Sequence, residues 1–215
     1  MEWKVIDKSS TKIPESGTYR DWKEILAEEG SHQCVYCCIH EAQFGGLRNF
    51  HVEHYRPKVK YPTLVNIFTN LFYACGICNL FKSDDWPADP SIDDFSYPHY
   101  PDPSKVNWSL LLNSYDHTGA ITCDQVTGRY LIERLYLNRP QMIINRRLRS
   151  LVEQISQVKS AFDELLTDTE NVTKDQAIQI AKLLSQLLQV FISMDSAIPY
   201  KNTDIQRNKV KSARD

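Results

Sequence analysis

The sequence predicts an α+β chain that is mostly helical and ends in an antiparallel helical hairpin. Two observations support this fold class. Two cysteine pairs frame a region near the N-terminus that contains a strand-like segment and several turns. Further along the chain, apolar residues recur in alternating steps of three and four, which is the spacing of amphipathic helices. With 215 residues, the chain can form one large domain or two small ones.

The composition is that of an ordinary globular protein. Hydrophobic residues make up 42% of the chain, and the formal net charge is −2, so any nucleic-acid binding needs local positive charge or a partner. No apolar run approaches the ~20 residues of a membrane span, and the N-terminus has no signal-peptide pattern. We therefore expect a cytoplasmic protein, in which the six cysteines are metal ligands or buried thiols rather than disulfides.

The N-terminal half contains short predicted elements. Residues 18–30, "TYRDWKEILAEEG", predict a helix, with Thr18 and Asp21 at capping-box spacing. Residues 48–58, "RNFHVEHYRPK", predict a strand that ends at its proline. Residues 62–85 begin with an apolar, helix-like stretch and continue into the second cysteine pair.

Residues 89–108 are rich in proline and lack periodicity, which indicates a long surface loop and a soft boundary. We expect a cysteine-framed domain over 1–95, a loop-rich connecting region over 96–140 and the helical hairpin over 141–215.

The hairpin prediction depends on two apolar seams. Thr173 and Gln176 are placed to cap the second helix, and Pro199 is expected to end it. Such seams pack on each other or on the rest of the fold, and they also suit docking on a partner. The seams comprise Ile144, Leu148, Leu151, Ile155, Val158, Phe162 and Leu165, then Ile180, Leu184, Leu187, Phe191, Met194 and Ile198.

The cysteine pairs predict a structural zinc site. Each C-x2-C turn directs two thiolates at one centre, and two such turns complete the tetrahedral sulfur site that zinc prefers. A closed site of this kind leaves no open coordination position, so its zinc stabilises the fold and does not catalyse. The expected ligands are Cys34, Cys37, Cys75 and Cys78. Cys38 and Cys123 are interpreted as ordinary thiols, although Cys38 is an imperfect alternative to Cys37.

A compact motif lies between the cysteine pairs. "HVEHYRPK" at 51–58 is followed by Asn70 and then by "ACGICNLFK", in which Asn79 and Lys82 follow the last cysteine. The order and spacing of these elements resemble the HNH endonuclease family in its zinc-stapled form, over roughly residues 30–85. The resemblance implies a ββα-metal core and metal-dependent hydrolysis of DNA.

The resemblance also implies individual roles. His54 matches the general base, Glu53 a ligand of the catalytic divalent ion, and Asn79 the second ligand. Asn70 matches the position that holds the base-bearing strand, and Lys82 completes the catalytic set. A neutral imidazole suits proton abstraction near pH 7. Carboxylate and amide oxygens favour Mg²⁺ or Mn²⁺ over zinc at this second site.

Other polar residues around the motif have several interpretations. His51 is a third metal ligand, a phosphate contact or a hydrogen-bonded core histidine. Arg56, Lys58 and Lys60 are candidate DNA-binding residues, and Lys82 is a further candidate contact to the DNA backbone. Solvent-exposed charge without a ligand is the alternative for each of them.

A narrower resemblance suggests a partner. The motif, "DPS" at 102–104 and "LYLNRPQMIINRR" at 135–147 are similar to small bacterial HNH proteins encoded beside an ATPase in Septu-type anti-phage systems. This similarity implies an ABC/SMC-like, PtuA-type ATPase partner, with the hairpin as a docking region. The main competing hypothesis is a zinc-stapled module that binds nucleic acid or protein without cutting. A structural subunit with a vestigial nuclease core is the third.

Overall fold

The protein forms two compact units in a computed structural model. The structure describes residues 3–9, 14, 16–112, 118–167 and 173–194. The first unit contains the described residues up to 112, together with 121–138. The second contains 118–120, 139–167 and 173–194. Helices occur together with a small antiparallel sheet, so the predicted α+β class is confirmed.

The first helix, α1, covers Lys23–Glu29 and begins later than the sequence predicts. The Thr18 backbone N–H and hydroxyl donate to Asp21 Oδ2 at 2.8 and 3.0 Å, and the first of these bonds is one half of a capping box. The Asp21 N–H also donates to the Thr18 carbonyl, at 2.9 Å, which closes a separate turn. Because the Tyr19 N–H donates to Asn66 Oδ1, at 3.1 Å, this turn is tied to a distant loop and the helix starts after it.

Two strands form the sheet of the first unit. Strand β1 covers Phe50–His54 and strand β2 covers Leu71–Cys75. They pair antiparallel, with Phe50 opposite Cys75 and His54 opposite Leu71. The strand predicted within residues 48–58 is therefore confirmed.

The helix-like prediction for the start of residues 62–85 is wrong. This stretch forms 3-10 turns at Pro62–Leu64 and Phe68–Asn70 and then enters β2, where all five residues are buried. A short, continuously apolar run suits a buried strand as well as a buried helix. Contacts of β2 with β1 and α1, which are distant in sequence from most of the run, decide in favour of the strand.

Helix α2, Gly76–Lys82, follows β2 without a loop. Cys75 ends the strand and caps the helix, because its sulfur accepts the Cys78 N–H at 3.5 Å. The order of elements is therefore strand, strand and helix, and one cysteine pair lies at the junction of the last two.

Hydrogen bonds and an ion pair at Asp85 connect separate segments of the first unit. Its carboxylate accepts the Tyr100 hydroxyl at 2.8 Å and also the Tyr130 hydroxyl, and it pairs with Arg134 at 2.8 Å. The last two residues belong to helix α3, Val126–Arg134. These contacts tie α3 to the chain just after α2.

The second unit contains helices α4, Pro140–Thr167, and α5, Lys174–Met194, which contact each other. The predicted cap of α5 is confirmed: the Thr173 N–H and hydroxyl donate to Gln176 Oε1 at 2.9 Å, and the Gln176 N–H returns to the Thr173 hydroxyl at 3.3 Å. Within the described ranges, no helix combines the length and the apolar content needed to cross a membrane.

The predicted seams are only partly buried. Leu151, Val158 and Ile180 are buried, whereas Leu148 is 44% exposed and Ile155 is 47% exposed. The side chains of Leu165, Phe191 and Met194 lie outside the described part of the structure, as do Ile198 and Pro199.

Candidate metal centre and active site

The four predicted cysteines form one buried cluster. Their sulfur atoms all lie within 4.8 Å of one another, and the sulfurs of Cys37 and Cys75 are 3.8 Å apart. A tetrahedral zinc with Zn–S bonds of about 2.3 Å separates its sulfurs by about 3.8 Å. The cluster can therefore hold a structural zinc ion. The cluster comprises Cys34, Cys37, Cys75 and Cys78.

Burial of the cysteine cluster affects its affinity for zinc. Burial raises the pKa of the Cys34 and Cys78 thiols well above the ordinary value. Zinc binds thiolates, so metal uptake must release protons from these sulfurs, and the affinity falls as the pH falls.

The two remaining cysteines lie outside this cluster. Cys38 follows Cys37 with a positive φ of 55° and is buried, and the clustered sulfur belongs to Cys37. Cys123 lies in the connecting region, where its thiol donates to the Leu111 carbonyl at 2.9 Å.

A cavity of about 540 Å³ lies beside β1 and α2. His51, Glu53 and His54 from β1 line it, together with Asn79 from α2 and Lys58 from the loop that follows β1. The predicted base, both predicted metal ligands and the ambiguous histidine thus share one cavity.

The contacts of His54 determine which ring nitrogen is basic. Its Nε2 lies 3.1 Å from the Val65 carbonyl oxygen. A carbonyl oxygen only accepts, so in the neutral ring Nε2 carries the proton and Nδ1 is the basic nitrogen. Burial lowers the pKa of His54 below the ordinary value, which keeps the imidazole neutral at pH 7. Both properties suit a general base.

Glu53 is buried and held by two donors. Its Oε1 lies 2.7 Å from the Lys82 ammonium and accepts the Tyr36 hydroxyl at 3.1 Å. Among the described residues, Glu53 Oε2 receives no such bond, although Glu53 lines the cavity. Burial raises the pKa of Glu53, and the Lys82 charge opposes that rise.

Lys82 contacts residues of the cavity lining from the protein interior. Its side chain is fully buried and does not line the cavity. Besides the pair with Glu53, its ammonium donates to the His54 carbonyl at 3.1 Å. One buried cation therefore connects the carboxylate to the backbone of the neighbouring histidine and links the end of α2 to β1.

Asn70 holds the chain next to the cavity through hydrogen bonds. Its Oδ1 accepts the Arg56 N–H at 2.8 Å, and its Nδ2 donates to the Arg56 carbonyl at 3.1 Å. The Asn70 carbonyl accepts the Tyr55 N–H at 2.9 Å. These bonds fix the chain that directly follows His54, which is what the expected role of Asn70 requires.

His51 is exposed and lies against the first turn of α2. A Cβ on Gly76 would be 3.2 Å from His51 Nε2, so the glycine leaves room for the imidazole. Asn79 lies one turn further along the same helix and is half-buried. This placement puts His51 on the cavity surface rather than in the core.

Of the three predicted DNA-binding cations, one lines the cavity. Lys58 does so, whereas Arg56 pairs with Asp89 at 2.8 Å and Lys60 donates to the Trp86 carbonyl at 3.2 Å.

Part of the cavity lining was not predicted from the sequence. Tyr19, Arg20 and Lys23 come from the N-terminal turn and α1, and Ser83 and Asp84 follow α2. Ser83 and Asp84 are adjacent to the motif and could have been found from it. The N-terminal residues lie far from it in sequence and carry no motif of their own.

Comparison with known proteins gives one distant similarity. The chain is 29% identical over 145 residues to Septu protein PtuB from Bacillus thuringiensis, a match that covers 66% of this chain and 52% of that protein. The chain thus matches about half the length of this curated relative. No family model matches the chain, and no solved structure matches it.

Proposed function

We propose that the protein is a metal-dependent HNH-type endonuclease that hydrolyses DNA phosphodiester bonds. One observation carries this proposal: a histidine whose basic nitrogen is Nδ1 shares a cavity with a carboxylate and an amide. These residues are His54, Glu53 and Asn79, in the order and spacing of the HNH motif. The similarity to Septu protein PtuB supports the proposal independently of the geometry.

In the proposed mechanism, the Val65 carbonyl orients the His54 ring so that Nδ1 takes a proton from the attacking water. Lys82 holds the His54 carbonyl and Asn70 holds the backbone of Arg56, so that the chain at the base and just after it is fixed. A divalent ion, when bound, neutralises charge on the scissile phosphate and the leaving oxygen.

The residues present fit a hard divalent ion. The carboxylate of Glu53 and the amide of Asn79 supply oxygen donors, which suit Mg²⁺ or Mn²⁺. Because Lys82 and Tyr36 occupy Oε1, we assign Glu53 Oε2 as the ligand atom. His51 is a candidate third donor.

Such a site would keep several open coordination positions. Across the described ranges, the cysteine cluster is the only group of three or more histidine, cysteine or acidic side chains close enough to share an ion. Water and substrate oxygens would therefore complete the coordination shell, as magnesium tolerates.

We further propose a role in bacterial anti-phage defence, with an ABC/SMC-like, PtuA-type ATPase as the partner and the second unit as the docking region. The similarity to Septu protein PtuB supports the defence role. The exposed apolar residues of α4 support docking, because such residues commonly mark an interaction surface.

A plasmid assay tests the nuclease proposal. Wild type, His54→Ala and His32→Ala are incubated with plasmid and Mg²⁺ or Mn²⁺, alone and with a PtuA-type ATPase. We expect nicking or cutting by wild type and His32→Ala and at least a ~100-fold loss in His54→Ala, the scale of general-base removal. His32 lies outside the cavity and serves as a histidine control.

Two results separate this proposal from the binding-module hypothesis. Equal cutting by wild type and His54→Ala would remove His54 from the reaction. DNA binding with no cutting under any of these conditions would favour the non-catalytic module.

A further inference from the structure

The cavity has a wall formed by residues outside the HNH-like motif. Tyr19, Arg20 and Lys23 belong to the N-terminal turn and α1, and Lys58 belongs to the loop after β1. We call these four residues the cationic wall. Three of them carry positive charge, and they approach the cavity from two segments that are distant in sequence.

Tyr19 connects the cationic wall to the proposed base. Its ring lies edge-on to the His54 ring, with centroids 4.7 Å apart and planes at 71°. The Arg20 guanidinium carbon lies 5.6 Å and the Lys58 ammonium 5.7 Å from the centroid of the Tyr19 ring. Arg20 Nε also donates to the Tyr19 hydroxyl at 3.2 Å. The Tyr19 ring therefore lies close to both cations and to the His54 imidazole.

The N-terminal part of the cationic wall is attached to the fold through its backbone and a neighbouring aromatic ring. The Tyr19 N–H donates to Asn66 Oδ1 at 3.1 Å, and the adjacent Trp22 is buried with its ring edge-on to Phe68 at 5.9 Å. These contacts fix the N-terminal turn against the loop between β1 and β2. The backbone that carries Tyr19 and Arg20 is therefore held beside the loop that carries Lys58.

The charge around the cavity differs from that of the whole chain. The net charge of the chain is −2, yet the cavity lining includes Arg20, Lys23 and Lys58 against the acidic residues Glu53 and Asp84. Lys82 pairs with Glu53 from behind. The lining is therefore locally positive, as binding of a polyanion by an acidic protein requires.

We propose that the cationic wall binds the phosphodiester backbone of a DNA strand and places one phosphate beside His54. This inference rests on the proposed nuclease function and names how the same cavity holds its substrate. Arg20 and Lys58 supply the two principal phosphate contacts, and Tyr19 sets their spacing. Lys23 extends the positive surface along α1.

Lys60 offers a matched control for Lys58. Both lysines are exposed and lie in the same loop, two positions apart. Lys60 donates to the Trp86 carbonyl and does not line the cavity. If the loss of any positive charge weakens DNA binding, variants of Lys58 and Lys60 should lose the same affinity. If Lys58 contacts a phosphate, only its variant should lose affinity.

The test measures binding of a short dye-labelled DNA single strand by fluorescence anisotropy over a range of salt, with no added divalent ion. Each lost phosphate contact lowers the slope of log affinity against log salt by about 0.7 for single strands. We expect R20Q/K58Q to lose about 1.4 from the slope, and K60Q to keep the wild-type slope. Y19F should retain more affinity than Y19A, because it keeps the ring that spaces the cations.

Two outcomes would overturn the proposal: a wild-type slope and affinity in R20Q/K58Q, or an equal loss in K60Q and K58Q. Circular dichroism of each variant verifies that the fold is retained. The assay involves no cleavage, so it separates the two proposals. A wall that binds DNA in a protein that never cuts would leave this inference standing and end the nuclease proposal.

Discussion

The two compact units differ in how they use their buried residues. In the first unit, charged and polar side chains are buried in pairs, such as Lys82 with Glu53, and a cluster of cysteines joins two turns. In the second unit, two long helices contact each other, Leu151 and Ile180 are buried, and part of the apolar surface stays exposed. Its buried charged side chains include Arg146 and Arg147 of α4, which donate to backbone carbonyls of the same unit. The first unit contains the candidate site, and the second exposes apolar surface.

The comparison shows what each kind of packing requires. Helix pairs need only a repeated apolar spacing, which many sequences satisfy. A buried lysine needs a partner at hydrogen-bond distance, because an unpaired charge in the interior is strongly destabilising. We therefore expect single substitutions to have larger effects in the first unit than in the second.

Removal of one zinc ligand should have the largest effect. Structural zinc contributes an apparent ~10–16 kcal/mol in small zinc-dependent folds, which is comparable to the stability of a whole domain. Cys75→Ser should lose the zinc and unfold the first unit while the helices of the second retain much of their circular dichroism. Metal analysis and calorimetry of the full chain measure both.

Cys123→Ser is the matched control, because this buried thiol lies outside the cluster. It should keep a full complement of zinc. Unchanged zinc content in Cys75→Ser would contradict the assignment of the cluster as a zinc site.

Loss of the buried lysine should rank second. Lys82→Met leaves Glu53 buried without its cation, and breaking a buried pair in this way costs about 3–5 kcal/mol. Urea unfolding measures the loss. The double variant Lys82→Met/Glu53→Gln should recover part of it, because it removes the unpaired charge. Additive losses in the double variant would show that the two side chains do not depend on each other.

Substitutions within the hairpin should have smaller and position-dependent effects. Leu151 is 8% exposed, so Leu151→Ala should cost about 2–3 kcal/mol. Leu148 lies one turn earlier on α4 and is 44% exposed, so Leu148→Ala should change the stability by no more than about 0.5 kcal/mol. Thermal unfolding of both variants tests the contrast, and equal losses would show that the exposed surface is buried in solution.

Loss of the α5 cap should have a smaller effect than Leu151→Ala. Thr173→Ala removes a hydroxyl that both donates to and accepts from Gln176, and loss of such a cap costs about 1 kcal/mol. Gln176→Ala should cost a similar amount, because the contacts are reciprocal. A large loss of the helical circular dichroism signal in either variant would mean that the whole of α5 depends on the cap, and not only its first turn.

Local patterns in the sequence predict much of this molecule. The spacing of the cysteines predicts their cluster, and the apolar steps predict α4 and α5, since both depend on residues close together in the chain. The motif also brings His54 and Asn79 to one cavity, as expected from its order of elements. The roles of these residues remain proposals.

Other features depend on contacts that no local pattern encodes. Strand β2 is apolar at every position, so its identity depends on pairing with β1. Arg20 lines the cavity from a turn that is held by contacts distant in sequence, such as the bond from the Tyr19 N–H to Asn66. Lys82 follows the motif like a surface cation, yet its partners bury it completely.

A titration with Mn²⁺, followed by NMR of the zinc-loaded full chain, tests the central claim most directly. Mn²⁺ broadens the signals of nuclei close to it. Selective loss of the Asn79 side-chain amide and the His54 ring signals, absent in Glu53→Gln, is the result expected if these residues share one divalent-ion site. Broadening spread over the surface, or unchanged in Glu53→Gln, would contradict the account.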